Sequence, residues 1–327
     1  MAVIATDVGP AQTITTFAAW LVTLPGNVVT AGNSYVCNII GQLADQNQAL
    51  TGHNTNATFN ITVTAKAGQS FIDNANRLTN ALRYNSANGA SWESGNGHSP
   101  MLAIADPYTT ISRMQFYSTG QTLRLLFIDN TSNVTVEYCI IQSVQRNGQE
   151  VLLMGSSGGV VRNCLFVSMT SNAHGIRVDR SAVAVNCTIV RPSDIGPGSS
   201  DGFGTIGAYG TSTLRNCAVF GFFNSFTGSW TADGHNCTNL STVAGSTSNL
   251  VSKTYANQFT NTVSTTQDWR LKTGADCINA GVTDTTNVPA ANDIVVTARP
   301  SGASWDIGAW EFASAAAAYR ARVVRWR

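Results

Sequence analysis

The sequence predicts an all-β fold, a right-handed parallel β-helix with an N-terminal capping helix and a short C-terminal tail. Three observations carry that prediction. A six-residue phrase recurs along the chain. Its columns alternate between apolar and polar residues. Its copies stand one solenoid coil apart.

The phrase appears as Val136-Glu137-Tyr138-Cys139-Ile140-Ile141 and Val161-Arg162-Asn163-Cys164-Leu165-Phe166. It returns as Ala184-Val185-Asn186-Cys187-Thr188-Ile189 and Leu214-Arg215-Asn216-Cys217-Ala218-Val219, with a looser copy at Ile111-Ser112-Arg113-Met114-Gln115-Phe116. From Met114 through Cys139, Cys164 and Cys187 to Cys217 the steps are 25, 25, 23 and 30 residues. Repetition at roughly 20–50 residues marks a stacked architecture. Three residues before the Cys stand Ile111, Val136, Val161, Ala184 and Leu214. Two after it stand Phe116, Ile141, Phe166, Ile189 and Val219. Apolar residues at period two on either side of one position are a strand signal. Asn fills the position before the Cys in three copies, and Asn tolerates the left-handed backbone of a tight corner. Each phrase therefore reads as strand, corner, strand, with the Cys inward. A β-sandwich would not repeat the same columns at coil length.

Composition agrees. Of 327 residues, 43% are hydrophobic and 11% charged, against about 25% charged in ordinary domains. Thr, Ser, Asn and Gly take the place of charge, as on a solenoid with a short-chained polar exterior. A net charge of +1 supplies no field to recruit nucleic acid. Seven Cys cannot all pair with one another, and their spacing lacks the zinc pattern. They are expected to be reduced core residues of a protein made in a reducing cytoplasm. No signal peptide and no membrane span is expected, because Met1–Asp7 carries no basic region and no 18-residue apolar run occurs.

Taken in order, residues 13–24 place Phe17, Trp20, Leu21 and Leu24 at helical spacing, capped by Thr15 or Thr16 and stopped by Pro25-Gly26. One amphipathic helix before a solenoid serves as a lid for its open end. Residues 34–42 and 57–65 alternate as strands. Residues 71–100 are irregular, and Asn85–Pro100 reads as an exposed excursion. Coils are clearest from Met101 to about Phe223, interrupted by a Gly/Pro/Ser loop over 192–202. His235-Asn236-Cys237 repeats the Asn-Cys pair where the columns fray.

Residues 240–312 lose the phrase but contain Ile278-Asn279-Ala280-Gly281, Arg299-Pro300 and Asp306-Ile307-Gly308-Ala309-Trp310-Glu311. This ending resembles the C-terminal closing segment of right-handed parallel β-helix repeat proteins. In that family the earlier element reads Ser-Pro-Ala-Ile-Asp-Ala-Gly. Here Asp276, Cys277 and Asn279 stand in place of the Pro, the Ala and the Asp. With the helix around Trp20, the chain is similar to β-helix proteins encoded by tailed phages and prophages. The expected organisation is a capping segment over 1–30, a β-helix with its closing segment over 31–312, and a basic tail over 313–327. The tail holds Arg320, Arg322, Arg325 and Arg327 and reads as a frayed terminus or a docking peptide.

Each candidate chemistry stands beside a plainer reading. Glycoside hydrolysis needs two carboxylates about 5 Å or about 6.5–9.5 Å apart. The outward column Ser112, Glu137, Arg162, Val185, Arg215 offers one carboxylate among cations. His174-Gly175-Ile176-Arg177-Val178-Asp179 faintly resembles the Gly-His-Gly and Arg-Ile-Lys elements of polygalacturonases, whose paired Asp elements are missing here. It reads as a strand with Ile176 and Val178 inward and Arg177 and Asp179 outward. Asp194, Asp201 and Asp233 sit in turn-forming sequence, Asp233 near His235. Tyr108, Tyr117, Tyr209, Trp230 and Trp269 could stack on sugars but read as packing residues.

No catalytic, cofactor-binding or metal-binding residue is expected, and no cofactor. The resemblance implies a non-catalytic structural protein of a phage virion, displayed on the particle as head decoration, fibre or spike. Its expected partners are itself, as a homo-oligomer with a trimer among the options, capsid or tail components, and a host surface glycan. Nucleic acid and membrane are not expected partners. The alternatives are a tailspike-like glycan depolymerase and a non-catalytic glycan-binding adhesin.

Overall fold

The computed structural model describes residues 2–44, 47–95, 100–120, 124–144, 150–170, 174–178, 180–195, 212–222, 230–241, 243 and 248–313. They form a parallel β-helix of three sheets. The first sheet stacks Ala2–Val8 (β1), Asn33–Ile39, Ile61–Ala65, Thr109–Ser112, Thr135–Glu137, Val160–Arg162, Val183–Val185, Ser212–Arg215 and Trp230–Gly234. The second runs from Gln42–Leu43 through Ser91–Ser94, Gln115–Ser118, Ile140–Ser143, Leu165–Ser168, Thr188–Val190 and Ala218–Phe220 to Cys237–Thr238. The third holds Gln48–Leu50, Leu102–Ile104, Leu126–Ser132, Glu150–Ser157 and His174–Val178. The five coils from Asn33 to Val178 visit the three in turn, and neighbouring coils lie about 4.8 Å apart.

The register matches the columns in the sequence. Val63, Ile111, Val136, Val161, Ala184 and Leu214 pair in succession and are fully buried. The corner residues Arg113, Tyr138, Asn163, Asn186 and Asn216 all have φ between 50° and 58°, so the corner is left-handed whether or not Asn fills it. Cys139, Cys164, Cys187 and Cys217 follow it, buried and unbridged. Each thiol donates to the inward residue one coil back: Ile111, Val136, Val161 and Ala184 carbonyls, at 3.6–3.9 Å.

The next copy corrects the reading of His235-Asn236-Cys237. A register shift between Leu214 and Arg215 moves the corner to His235 (φ 58°). Asn236 takes the Cys place, its Nδ2 donating to Leu214 O at 3.3 Å and its Oδ1 accepting from Cys217 N at 2.9 Å. Cys237 instead pairs with Ala218 and joins a separate core. The Asn-Cys pair is present there, one position out of register.

At the N-terminal end, the helix expected over 13–24 is shorter, Phe17–Leu21 (α1). Thr16 caps it, accepting from Ala19 N at 3.1 Å. Phe17 and Trp20 are buried over Trp92, with the Phe17 and Trp92 rings 4.8 Å apart. A second short helix, Val28–Ala31 (α2), starts at Asn27 and ends at left-handed Gly32. The first sheet begins before either helix, with β1. Within the expected excursion Asn85–Pro100, Ser91–Ser94 is a strand, because Trp92 is needed under α1; residues 96–99 lie outside the described set.

The closing segment lies along the flank of the rod. The second sheet reads as consecutive apolar residues, Leu165-Phe166-Val167 and Ala218-Val219-Phe220, and such runs are buried on both faces. Its outward side chains Ile140, Leu165, Val167, Val190, Ala218 and Phe220 pack in one core with Phe259, Trp269, Ile294, Ile307 and Ala309. An antiparallel pair, Phe259–Asn261 with Asp268–Leu271, supplies two of these. Behind them sits a buried polar knot. The Arg299 guanidinium meets Glu311 at 2.9 Å with both side chains fully buried, and also donates to the Asp306 and Gly308 carbonyls. Asp293 accepts from Val295, Thr297 and Glu311 N–H groups, and Asp306 from Asn279 and Phe312. The residues that resemble a closing motif are thus a self-contained staple.

Candidate functional site

The outward column of the first sheet is where the rod meets its own closing segment. Thr64, Ser112, Glu137, Arg162, Val185 and Arg215 align coil by coil. Ser112 Oγ donates to Thr64 at 3.0 Å. Arg162 straddles Glu137 Oε2 with Nε at 2.7 Å and NH2 at 2.6 Å, and its NH1 reaches Asn287 O at 2.7 Å. Arg215 meets Asp284 at 2.9 Å. The Asn216 amide bonds Val282 on both sides, donating to its O at 2.7 Å and accepting from its N at 2.9 Å. Val185 packs against Val288 and Trp305. The column therefore anchors the segment over 282–288.

Beside these anchors a groove of about 260 Å³ opens between Arg113, Glu137, Tyr138 and Arg162 on the rod and Pro289, Ala290, Asn292 and Val296 on the segment. Burial, with Glu137 nearby, pushes the Tyr138 phenol up. Glu137 is the one carboxylate in its wall, and Arg162 neutralises it. Arg113 is exposed. The groove can hold an anion or a hydroxyl-rich ligand, but its wall contains no acid/base pair.

The other sequence candidates disperse. Ile176 and Val178 are buried and Arg177 is half-exposed, as expected for the His174–Val178 strand; the His174 side chain and Asp179 lie outside the described residues. Asp194 accepts from Ser264 N at 2.8 Å and Oγ at 2.6 Å, and the Ser264 hydroxyl holds its carboxyl low. It tethers the loop after the fourth phrase-bearing coil to the closing segment. Asp201 and Tyr209 lie outside the described residues, as do the side chains of Asp233 and Trp230. His235 Nδ1 lies 3.0 Å from Ala280 O. Tyr117 stacks on Tyr84 at 4.6 Å and Trp269 is fully buried. The Cys164, Cys187 and Cys277 thiols are pushed well up by burial, opposite to what a nucleophilic Cys needs. Among the described residues, no cluster of three or more His, Cys, Asp or Glu is placed to hold a metal.

Two features had no local signal in the sequence. His53 and Asp106 meet at 2.5 Å between Nδ1 and Oδ2, and Asp106 Oδ1 also accepts from His53 N at 3.0 Å. They stand two coils' worth of sequence apart, so only the stacking brings them together. A second groove, of about 410 Å³, lies on the closing segment between Leu78, Arg270, Lys272, Thr297, Trp310 and Phe312.

No protein-family model matches the sequence, and no curated protein is similar to it. The chain is similar in structure to a pectate lyase, Pel9A, with a TM-score of 0.51 and 14% identity over 95% of this chain and 96% of that one. At that identity the likeness shows the fold, a parallel β-helix, over nearly the whole length of both chains.

Proposed function

We propose that this β-helix is a structural, non-catalytic component of a phage virion, displayed on the particle surface as a decoration, fibre or spike. One observation carries the reading. The outward column, the natural place for coil-to-coil catalytic carboxylates, is used to fasten the closing segment, with Glu137 bound to Arg162 and Arg215 to Asp284. Side chains spent on fastening make the rod's flank a stiff, self-covered surface. The resemblance of the N-terminal helix and coils to phage-encoded β-helix proteins supports the virion setting. Gold-labelled antibody against the chain, imaged on purified particles, is expected to decorate a fixed position. Absence of the protein from particles that are otherwise complete removes the reading.

A second reading, a glycan-binding adhesin, is favoured by Arg113 at the mouth of a groove that also offers Tyr138 and Asn292. It predicts retention of the purified protein on host cells without release of sugar. Release of shortened capsule or O-antigen would identify a depolymerase instead.

A further inference from the structure

The N-terminal end of the rod carries an open sheet edge. β1, Ala2–Val8, is the terminal strand of the first sheet and pairs with Asn33–Ile39 over its whole length without a bulge. The pairing fixes which backbone groups remain outside. Ile40 N–H donates to Val8 O, so the even-numbered residues of β1 point at the neighbouring strand. Gly9 N–H donates the other way, to Ile14 O. The N–H and C=O groups of Val3 and Ala5 therefore face away from the sheet, while the parallel bridge from Val8 to Ile14 lays the chain over the end of the strand from the Asp7 carbonyl onward.

Sheet edges are normally blunted by shortness, by Lys or Pro, by a bulge or by a cover. At this same end the edge strands of the other two sheets are short, Gln42–Leu43 and Gln48–Leu50, and α1 packs against the latter. β1 has seven residues with no Lys, Pro or bulge, and its cover, the bridge at Ile14 and α1, leaves Ala2–Ala5 exposed. Five large apolar side chains are exposed among the described residues. Val3 at 61% and Ile4 at 40% are on β1, and Val22 at 85% follows α1, which packs beside it. The end is also almost free of charge. Residues 1–44 hold one charged side chain, Asp7, and Lys66 pairs with it.

We infer that β1 is the contact between two copies of this chain, paired edge to edge and antiparallel about a two-fold axis. The outward N–H and C=O groups of Val3 and Ala5 thereby find partners in the second copy. An isologous contact brings like surfaces together, and a surface without net charge permits this. The first sheet then continues through both rods. A two-fold contact gives a dimer, where a trimer is also compatible with the sequence. The inference does not rest on the virion reading, and the test below involves neither particles nor glycans.

Sedimentation of the full chain over a micromolar concentration range is expected to give twice the monomer mass. Ala5→Pro removes an N–H that faces away from Asn33–Ile39, so it leaves the β1 ladder intact and breaks the proposed pairing. Val3→Lys places a charge on the edge at an already exposed position. Both variants are expected to sediment as monomers, with the circular dichroism and thermal midpoint of the parent monomer retained in Val3→Lys even if Ala5→Pro folds poorly. A monomeric parent, a trimer, or a dimer that survives Val3→Lys overturns the inference.

Discussion

At the scale of single residues, the corner decides what each coil requires. Left-handed backbone costs a residue with a Cβ about 1–2 kcal/mol, and Asn offsets part of this with its short polar side chain. At Arg113 the φ of 58° has no such help, and its side chain is exposed. Arg113→Gly is expected to leave stability unchanged or raise it by up to about 1 kcal/mol, and Arg113→Val to lower it by about 1–2 kcal/mol. Urea midpoints of the two variants check this. The Asn-Cys phrase was legible because it repeats the same demand at each corner. The copy at His235 was misplaced because a bulge shifts register by one residue, which the sequence pattern does not mark. His53–Asp106 was not legible at all, since nothing in either neighbourhood announces the other.

The buried carboxyls make a further residue-scale prediction. Burial raises Asp293 and Asp306 from 3.8 to about 6, with Glu311 adding to the rise at Asp306. A carboxyl with its folded value above its unfolded value binds more protons when folded, so its ionisation opposes folding. The penalty is absent below 3.8 and complete above about 6. Stability is therefore expected to fall as pH rises through that window. Asp7, Asp194 and Asp276 are held low by their partners and act below it. Urea midpoints measured across the window should decline with pH in the parent and much less in Asp293→Asn/Asp306→Asn. A flat parent profile would contradict the assignment.

At the scale of elements, two short structures hold more than their length suggests. α1 has five residues, too few to persist alone, and is held by Phe17 and Trp20 in the end of the core. Trp20→Ala should cost about 3–5 kcal/mol and Thr16→Ala about 1 kcal/mol, read as shifts of the chemical unfolding midpoint. The helix was legible from the spacing of its apolar residues, but after Leu21 the chain tightens to i→i−3 bonds, Thr23 N–H to Trp20 O and Leu24 N–H to Leu21 O, ahead of Pro25. In the closing segment, Arg299→Leu leaves Glu311 buried without its cation. Loss of one partner of a buried pair typically costs about 3–5 kcal/mol. Limited proteolysis should then cut within residues 250–312 while the coils remain resistant.

At the scale of the molecule, a stacked β-helix is one-dimensional, each coil touching its neighbours. That regularity is why the sequence disclosed the fold: the columns Val136, Val161, Ala184, Leu214 need no long-range guesswork. The closing segment breaks the rule, packing laterally on several coils at once, and its path was hidden because its motif shows its own knot and not the surface it covers. The signal for that surface was the paired apolar runs of the second sheet. The same segment occupies the outward column through Arg162 and Arg215, and the adjoining corner through Asn216. On the proposed function the rod is covered along this flank and cleaves no glycan. The most direct test is prolonged incubation of the purified full chain with host capsule, O-antigen and polygalacturonate, followed by measurement of new reducing ends and unsaturated products. No change in polymer length is expected, and shortening of any of these polymers would contradict the proposed function.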